Sequence, residues 1–137
     1  MTRKIAFVLP LLALIACNRE DAEITHDLTG TWELVAVYAD PGDGSGTYQP
    51  VTSDNVLLLL PDGKFRANFS YCPASDASTE GDTGTYSVQD NTLRPNCDGD
   101  TRLPFTVSGD TLTVTNPACI EGCGERYAKV SDEIIPL

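Results

Sequence analysis

The connections between the apolar runs of this chain constrain its fold more tightly than the runs themselves. Three connections are tight: Pro61-Asp62-Gly63-Lys64, Gln89-Asp90-Asn91-Thr92 and Ser108-Gly109-Asp110-Thr111. Each carries residues that tolerate the positive φ hairpin turns need. Four others are longer, at 39–53, 72–82, 96–101 and 116–123, and tight and long connections alternate strictly along the chain. In an up-and-down meander, alternate connections fall on opposite ends. One end is then closed by short hairpins and the other is a mouth ringed by four loops. The segments between read as eight strands, at 30–38, 54–60, 64–71, 83–89, 91–95, 102–108, 110–115 and 124–130, and no helical period follows residue 28. The fold class is all-β: an eight-stranded antiparallel up-and-down barrel, whose closure also removes exposed edges.

The side-chain pattern supports one buried and one wet face. Phe65, Ala67 and Phe69 alternate with Arg66, Asn68 and Ser70, and Leu112 and Val114 alternate with threonines. Leu103, Phe105 and Val107 form a third stripe, and Trp32, Leu34, Ala36 and Tyr38 form a fourth. Val56 to Leu60 does not alternate, which predicts a strand covered on both faces.

Ahead of the barrel the character changes. A basic start, with Arg3 and Lys4, leads into an apolar run from Ile5 to Ile15. The run is too short to cross a bilayer as a helix but suits a secretory signal. It ends in Leu14-Ile15-Ala16-Cys17, which resembles the lipobox of bacterial lipoproteins. That resemblance implies cleavage of residues 1–16, a diacylglycerol on Cys17, and acylation of the new amine by a chain such as palmitate. Several acyl chains make anchoring effectively permanent. Asn18 stands where an Asp would favour inner-membrane retention, so the expected address is the outer membrane, on its periplasmic face or at the cell surface. Residues 18–27 are polar and acidic and read, with the lipidated Cys17, as a flexible tether. Glu20, Asp21 and Glu23 resemble the acidic surface-export signals of some Bacteroidetes lipoproteins. The remaining domain spans 28–131, and 132–137 is a tail.

Gly30-Thr31-Trp32 opens the first strand, and Trp32 is the single Trp. This resembles the Gly-x-Trp signature of lipocalins. The closer likeness is to the lipocalin-like domains of short bacterial lipoproteins, carried by Leu28 to Leu34, Asp40 to Thr47, Gly84 to Val88 and the closing Cys119-x-x-x-Cys123 with Glu125-Arg126-Tyr127. The resemblance implies a non-enzymatic module for small apolar ligands. It also implies a basic residue of the last strand packed over Trp32, for which Arg126 is the nearest candidate and Lys129 its rival. Lipocalins place a helix after the last strand, and residues 131–137 are too few for one. An eight-stranded barrel can also be filled by its own side chains, so a filled and a ligand-holding barrel both remain open.

Once Cys17 carries lipid, Cys72, Cys97, Cys119 and Cys123 remain, in or next to open-end loops. An even number in an exported chain reads as disulfides. Three pairings are possible, and Cys72 with Cys97 plus Cys119 with Cys123 is favoured. A four-thiolate zinc site is the competing reading, and an oxidising compartment argues against it. No metal or cofactor is expected. Asp40 to Thr47 has the composition of a calcium loop but not the EF-hand spacing, so it reads as a mobile loop of the mouth. His26, the single His, lies in the tether, which removes His-based triads from the domain. Among the acids, Glu33 and Glu125 stand out because they fall on strands rather than turns.

The chain carries a formal charge of −11. Removal of Arg3 and Lys4 leaves seven basic and twenty acidic side chains, or −13. Such a surface repels phosphate backbones, so nucleic acid is excluded as a partner. The expected partners are the membrane, through the lipid, and a small apolar ligand or an envelope protein at the open end. Tyr48, Tyr71 and Arg102 are the candidate rim contacts, because Tyr and Arg give large contact area with polar tips. The alternative is a filled-core envelope interaction protein, such as an inhibitor or an assembly accessory.

Overall fold

A computed structural model describes residues 28–73, 80–119 and 122–137. The signal, Cys17, the tether and His26 lie outside the described residues. From Gly30 onward every element is a strand: β1 (Gly30–Ala39), β2 (Thr47–Pro50), β3 (Val56–Leu59), β4 (Lys64–Ala67), β5 (Thr83–Ser87), β6 (Thr92–Pro95), β7 (Leu103–Ser108), β8 (Thr111–Asn116) and β9 (Cys123–Ser131). Neighbouring strands pair antiparallel from β3 to β9, and β1 joins β3 on one side and β9 on the other. The eight strands β1 and β3–β9 therefore close into the expected barrel.

The ninth strand, β2, lies inside the long connection 39–53. It pairs with β1 over Ala36–Ala39, beyond the point where β3 leaves off at Glu33. Thr47-Tyr48-Gln49-Pro50 is short, mostly exposed and ends in Pro, so it carries no period-2 signal. The expected strands at 54–60 and 64–71 are trimmed to β3 and β4, because Asn68 takes over the pairing at their ends. Its side chain accepts from Val56 N at 2.8 Å and donates to Asp54 O at 2.7 Å.

One expected stripe is corrected. Trp32 and Leu34 point inward, but the β1–β9 register slips between Leu34 and Ala36, inserting Val35 as a bulge. Beyond it the alternation inverts: Val37 packs against the core, while Tyr38 meets Tyr48 edge-on at the edge of the mouth.

The other stripes face the interior as expected, except that Val107, near the β7–β8 hairpin, is exposed. Trp32, Leu57, Leu59, Phe65, Leu93 and Leu112 pack without solvent exposure. Trp32 donates its indole N–H to Leu28 O at 2.9 Å. Gly84 makes room for Phe65, whose ring occupies the space a Cβ at 84 would need. Gly30 has φ +145, and a Cβ there would collide with the Ser131 carbonyl. Only glycine fits the head of β1.

The unbroken apolar run of β3 has a structural reason. Leu57 and Leu59 face the core, while Leu58, on the outer face, is also buried. The C-terminal tail runs beside it: Leu58, Ile134, Pro136 and Leu137 line one hollow of 590 Å³. The tail is tied down by Thr31 Oγ1, which donates to Glu133 O and accepts from Ile135 N.

Candidate functional site

The two barrel ends are built differently. The hairpin end is held by backbone bonds and short turns. Leu60 N bonds Lys64 O at 2.8 Å across Gly63 (φ +75), and Asn91 (φ +49) and Gly109 (φ +56) make the other two turns. Tyr86 closes this side by donating to Leu60 O at 2.7 Å.

At the other end the interior combines aromatic and aliphatic side chains with a few polar groups. β4 continues past Ala67 into residues whose rings fold inward. Phe69 stacks on Tyr127 and meets Tyr71 edge-on at 4.9 Å. This turn is organised by buried Asp82, whose carboxylate accepts from Tyr71 N at 2.6 Å, Cys72 N at 3.2 Å and Ser70 Oγ at 2.9 Å. Tyr71 is thereby aimed into the mouth, with its hydroxyl 2.8 Å from that of Tyr127. Tyr127 in turn donates to Glu125 Oε2. Tyr71 also bonds the Glu125 side chain, so the two hydroxyls and the carboxylate form one hydrogen-bonded cluster.

Beside this cluster lies a cavity of about 370 Å³, within the size range of small-molecule sites. Its apolar side is Val37, Leu103 and Val114; its polar side is Tyr71, Asn116 and Glu125. Burial pushes the Glu125 carboxyl above its ordinary value, against the two tyrosine hydrogen bonds that pull it down. Burial raises the phenols of Tyr71 and Tyr127 as well.

Disulfides brace the rim. Cys72 is bonded to Cys97, joining the β4–β5 and β6–β7 connections, and Cys119 is bonded to Cys123 at the head of β9. Cys72, Cys97 and Asp82 place ligand-type atoms within 4.8 Å of one another. Both sulfurs are bonded to each other, and Asp82 is engaged by three donors. The Asp40 loop is likewise turned on itself: its carboxylate accepts from Gly42 N and Gly44 N, which hold it below the usual carboxylate range.

The sequence candidates separate in space. Tyr71 lines the cavity. Tyr48 does not: it sits in β2 on the outer wall, edge-on to Tyr38 at 5.4 Å. Arg102 is held by Asp100 through paired contacts of 2.7–3.0 Å in an exposed loop and does not line the mouth. Arg126 is also corrected. It faces outward, 3.7 Å from the Tyr48 ring centroid, because in β9 it alternates with inward-facing Glu125 and Tyr127. The cation near Trp32 is Lys129, at 5.7 Å from the ring, paired to Asp132. Glu33 is exposed on β1, so of the two strand acids only Glu125 reaches the interior.

Residues 28–114 match the model of the family described as the lipocalin-like domain. The chain belongs to that family. None of the curated proteins matches the chain. The matched segment of this lipocalin-like domain runs from the approach to β1 into β8, so Glu125 and Tyr127 of the closing strand lie beyond it. A lipocalin-like barrel suggests a small-ligand binding module, and the family is generally non-enzymatic. Asp82 had no signal in the sequence, where it is one acid among many in a turn-rich stretch. Glu125 had one, its strand position.

Proposed function

We propose that this lipocalin-like domain is a non-enzymatic binding module that takes a small ligand through the open end of the barrel. The observation that carries the reading is the mouth cavity, where a largely buried carboxyl and two tyrosines converge on an apolar wall. The 590 Å³ hollow under the tail is larger, but it lies on the outer wall, and the one buried carboxylate that lines it, Asp82, is already taken by its three donors. Below the mouth the barrel is filled by Trp32, Phe65 and leucines. The ligand is therefore short, with an apolar body and a polar head, rather than a long acyl chain threaded down the axis.

The lipobox-like Leu14-Ile15-Ala16-Cys17 supports an address in the bacterial envelope, with the domain anchored through lipid on Cys17 by the outer membrane. The filled lower barrel favours a second reading, an envelope interaction protein that holds no ligand. The chain purified from its native membranes and weighed by native mass spectrometry separates the two. A stoichiometric small molecule is the expected result, and a bare chain in every preparation contradicts it. Cys17→Ser should move the protein out of the membrane fraction or leave an uncut precursor, and unchanged fractionation and migration contradict the anchor.

A further inference from the structure

Glu125 sets the chemistry of the mouth. Its hydrogen-bond donors among the described residues are the hydroxyls of Tyr127 and Tyr71, and both are neutral. No Lys or Arg lines the cavity. The cations that could have reached it are turned elsewhere: Arg126 to the outer Tyr48 ring, Arg102 to Asp100, Lys129 to Asp132 near Trp32. The other nearby carboxylate, Asp82, is filled by its three donors. A largely buried carboxylate without a cation is costly, and a glutamine could accept the same hydroxyl bonds without the charge. Among the described residues the charge is paired with no cation. The surface around it, at −11 for the full chain, draws cations toward any opening.

We infer that the ligand of the mouth is a small organic cation, a protonated amine on an apolar or aromatic body, whose ammonium pairs with Glu125 beside the Tyr71 ring. This rests on the small-ligand reading of the mouth and names its chemical class. The ammonium supplies the charged donor that the Tyr71–Tyr127–Glu125 cluster lacks. The body lies on Val37, Leu103 and Val114, and aromatic faces favour a cation. A carboxylate ligand such as a fatty acid would meet Glu125 head-on with nothing to neutralise either charge.

The test is calorimetric titration of the full chain, in non-ionic detergent, with three probes of one shape: phenethylamine, phenethyl alcohol and phenylacetate. The amine is expected to bind about tenfold to a hundredfold more tightly than the alcohol, the range of a hydrogen bond to a charged group. Phenylacetate is expected to be weakest. Glu125→Gln should bring the amine down to the level of the alcohol. Glu33→Gln, on the outer wall, should leave both unchanged, which separates pairing in the mouth from general attraction to an acidic surface. If the alcohol or phenylacetate matches the amine, the cation inference falls while the small-ligand reading stands. If none of the three binds, both fall. The wild-type panel decides the matter even if Glu125→Gln fails to fold.

Discussion

The closed end and the open end of this barrel solve opposite problems with the same strands. At the closed end, short turns through Gly63, Asn91 and Gly109 and backbone bonds offer no concave site, and the interior is aromatic and aliphatic. At the open end, Asp82 holds a turn by its backbone amides, one disulfide ties neighbouring loops while another closes the head of β9, and a carboxyl is kept among tyrosines. Stability is concentrated in the first region. The second retains a charge that costs stability when nothing is bound, the pattern expected where binding and folding compete.

The largest difference between the ends should come from the core. Trp32→Ala removes a ring with no exposure and the indole bond to Leu28. It should cost about 3–5 kcal/mol in denaturant unfolding. A loss under about 1 kcal/mol would mean that the floor is not the stable part.

Next is the rim. Replacing Cys72 and Cys97 together by Ser opens a bridge across a sequence separation of 25. The expected cost is about 3 kcal/mol in thermal or chemical melting, from the freed unfolded chain. Ligand affinity should fall too, because a looser rim must be ordered on binding. Weaker melting with unchanged affinity would show that the bridge serves the fold alone.

Glu125→Gln should act in the opposite direction. Because the folded carboxyl titrates above its ordinary value of 4.5, the folded state holds its proton more tightly than the unfolded chain. Stability from this group is greatest below about pH 4.5 and falls as pH rises toward the folded value. Glu125→Gln should therefore melt higher than wild type at neutral pH, with the gap closing in acid. A gap that widens in acid would contradict the burial of an unpaired carboxyl. Smallest of all, Arg126→Ala removes an exposed cation–π contact and should cost less than about 1 kcal/mol, without altering ligand affinity.

Much of the fold was legible because barrels are written in their turns. The strict alternation of tight and long connections specified strand order, closure and the end that carries the loops. The unbroken Val56–Leu60 run foretold cover on both faces, which the tail provides outside. What the sequence could not show were events that break period-2 counting. The Val35 bulge inverts the rest of β1, so Tyr38 meets Tyr48 at the edge of the mouth instead of joining the core. β2, hidden in a long connection, puts Tyr48 on the outer wall, where it meets Arg126, which alternates in β9 with the inward Glu125 and Tyr127. Tyr71 lines the mouth because the alternation of β4 carries on through Phe69 to it. Glu125 stood out only as an acid on a strand; its significance depends on the inward rings of Tyr71 and Tyr127, which come from distant parts of the chain.

The division of labour between the two ends can be measured directly by hydrogen exchange, with and without the small molecule recovered with the chain, or phenethylamine. Protection is expected in peptides covering 69–73, 112–116 and 123–127, where the cavity and its tyrosine cluster lie. Peptides over the 60–64, 88–91 and 108–111 turns should exchange at the same rate with or without it. Protection confined to those three hairpins, with the mouth unchanged, would contradict the account.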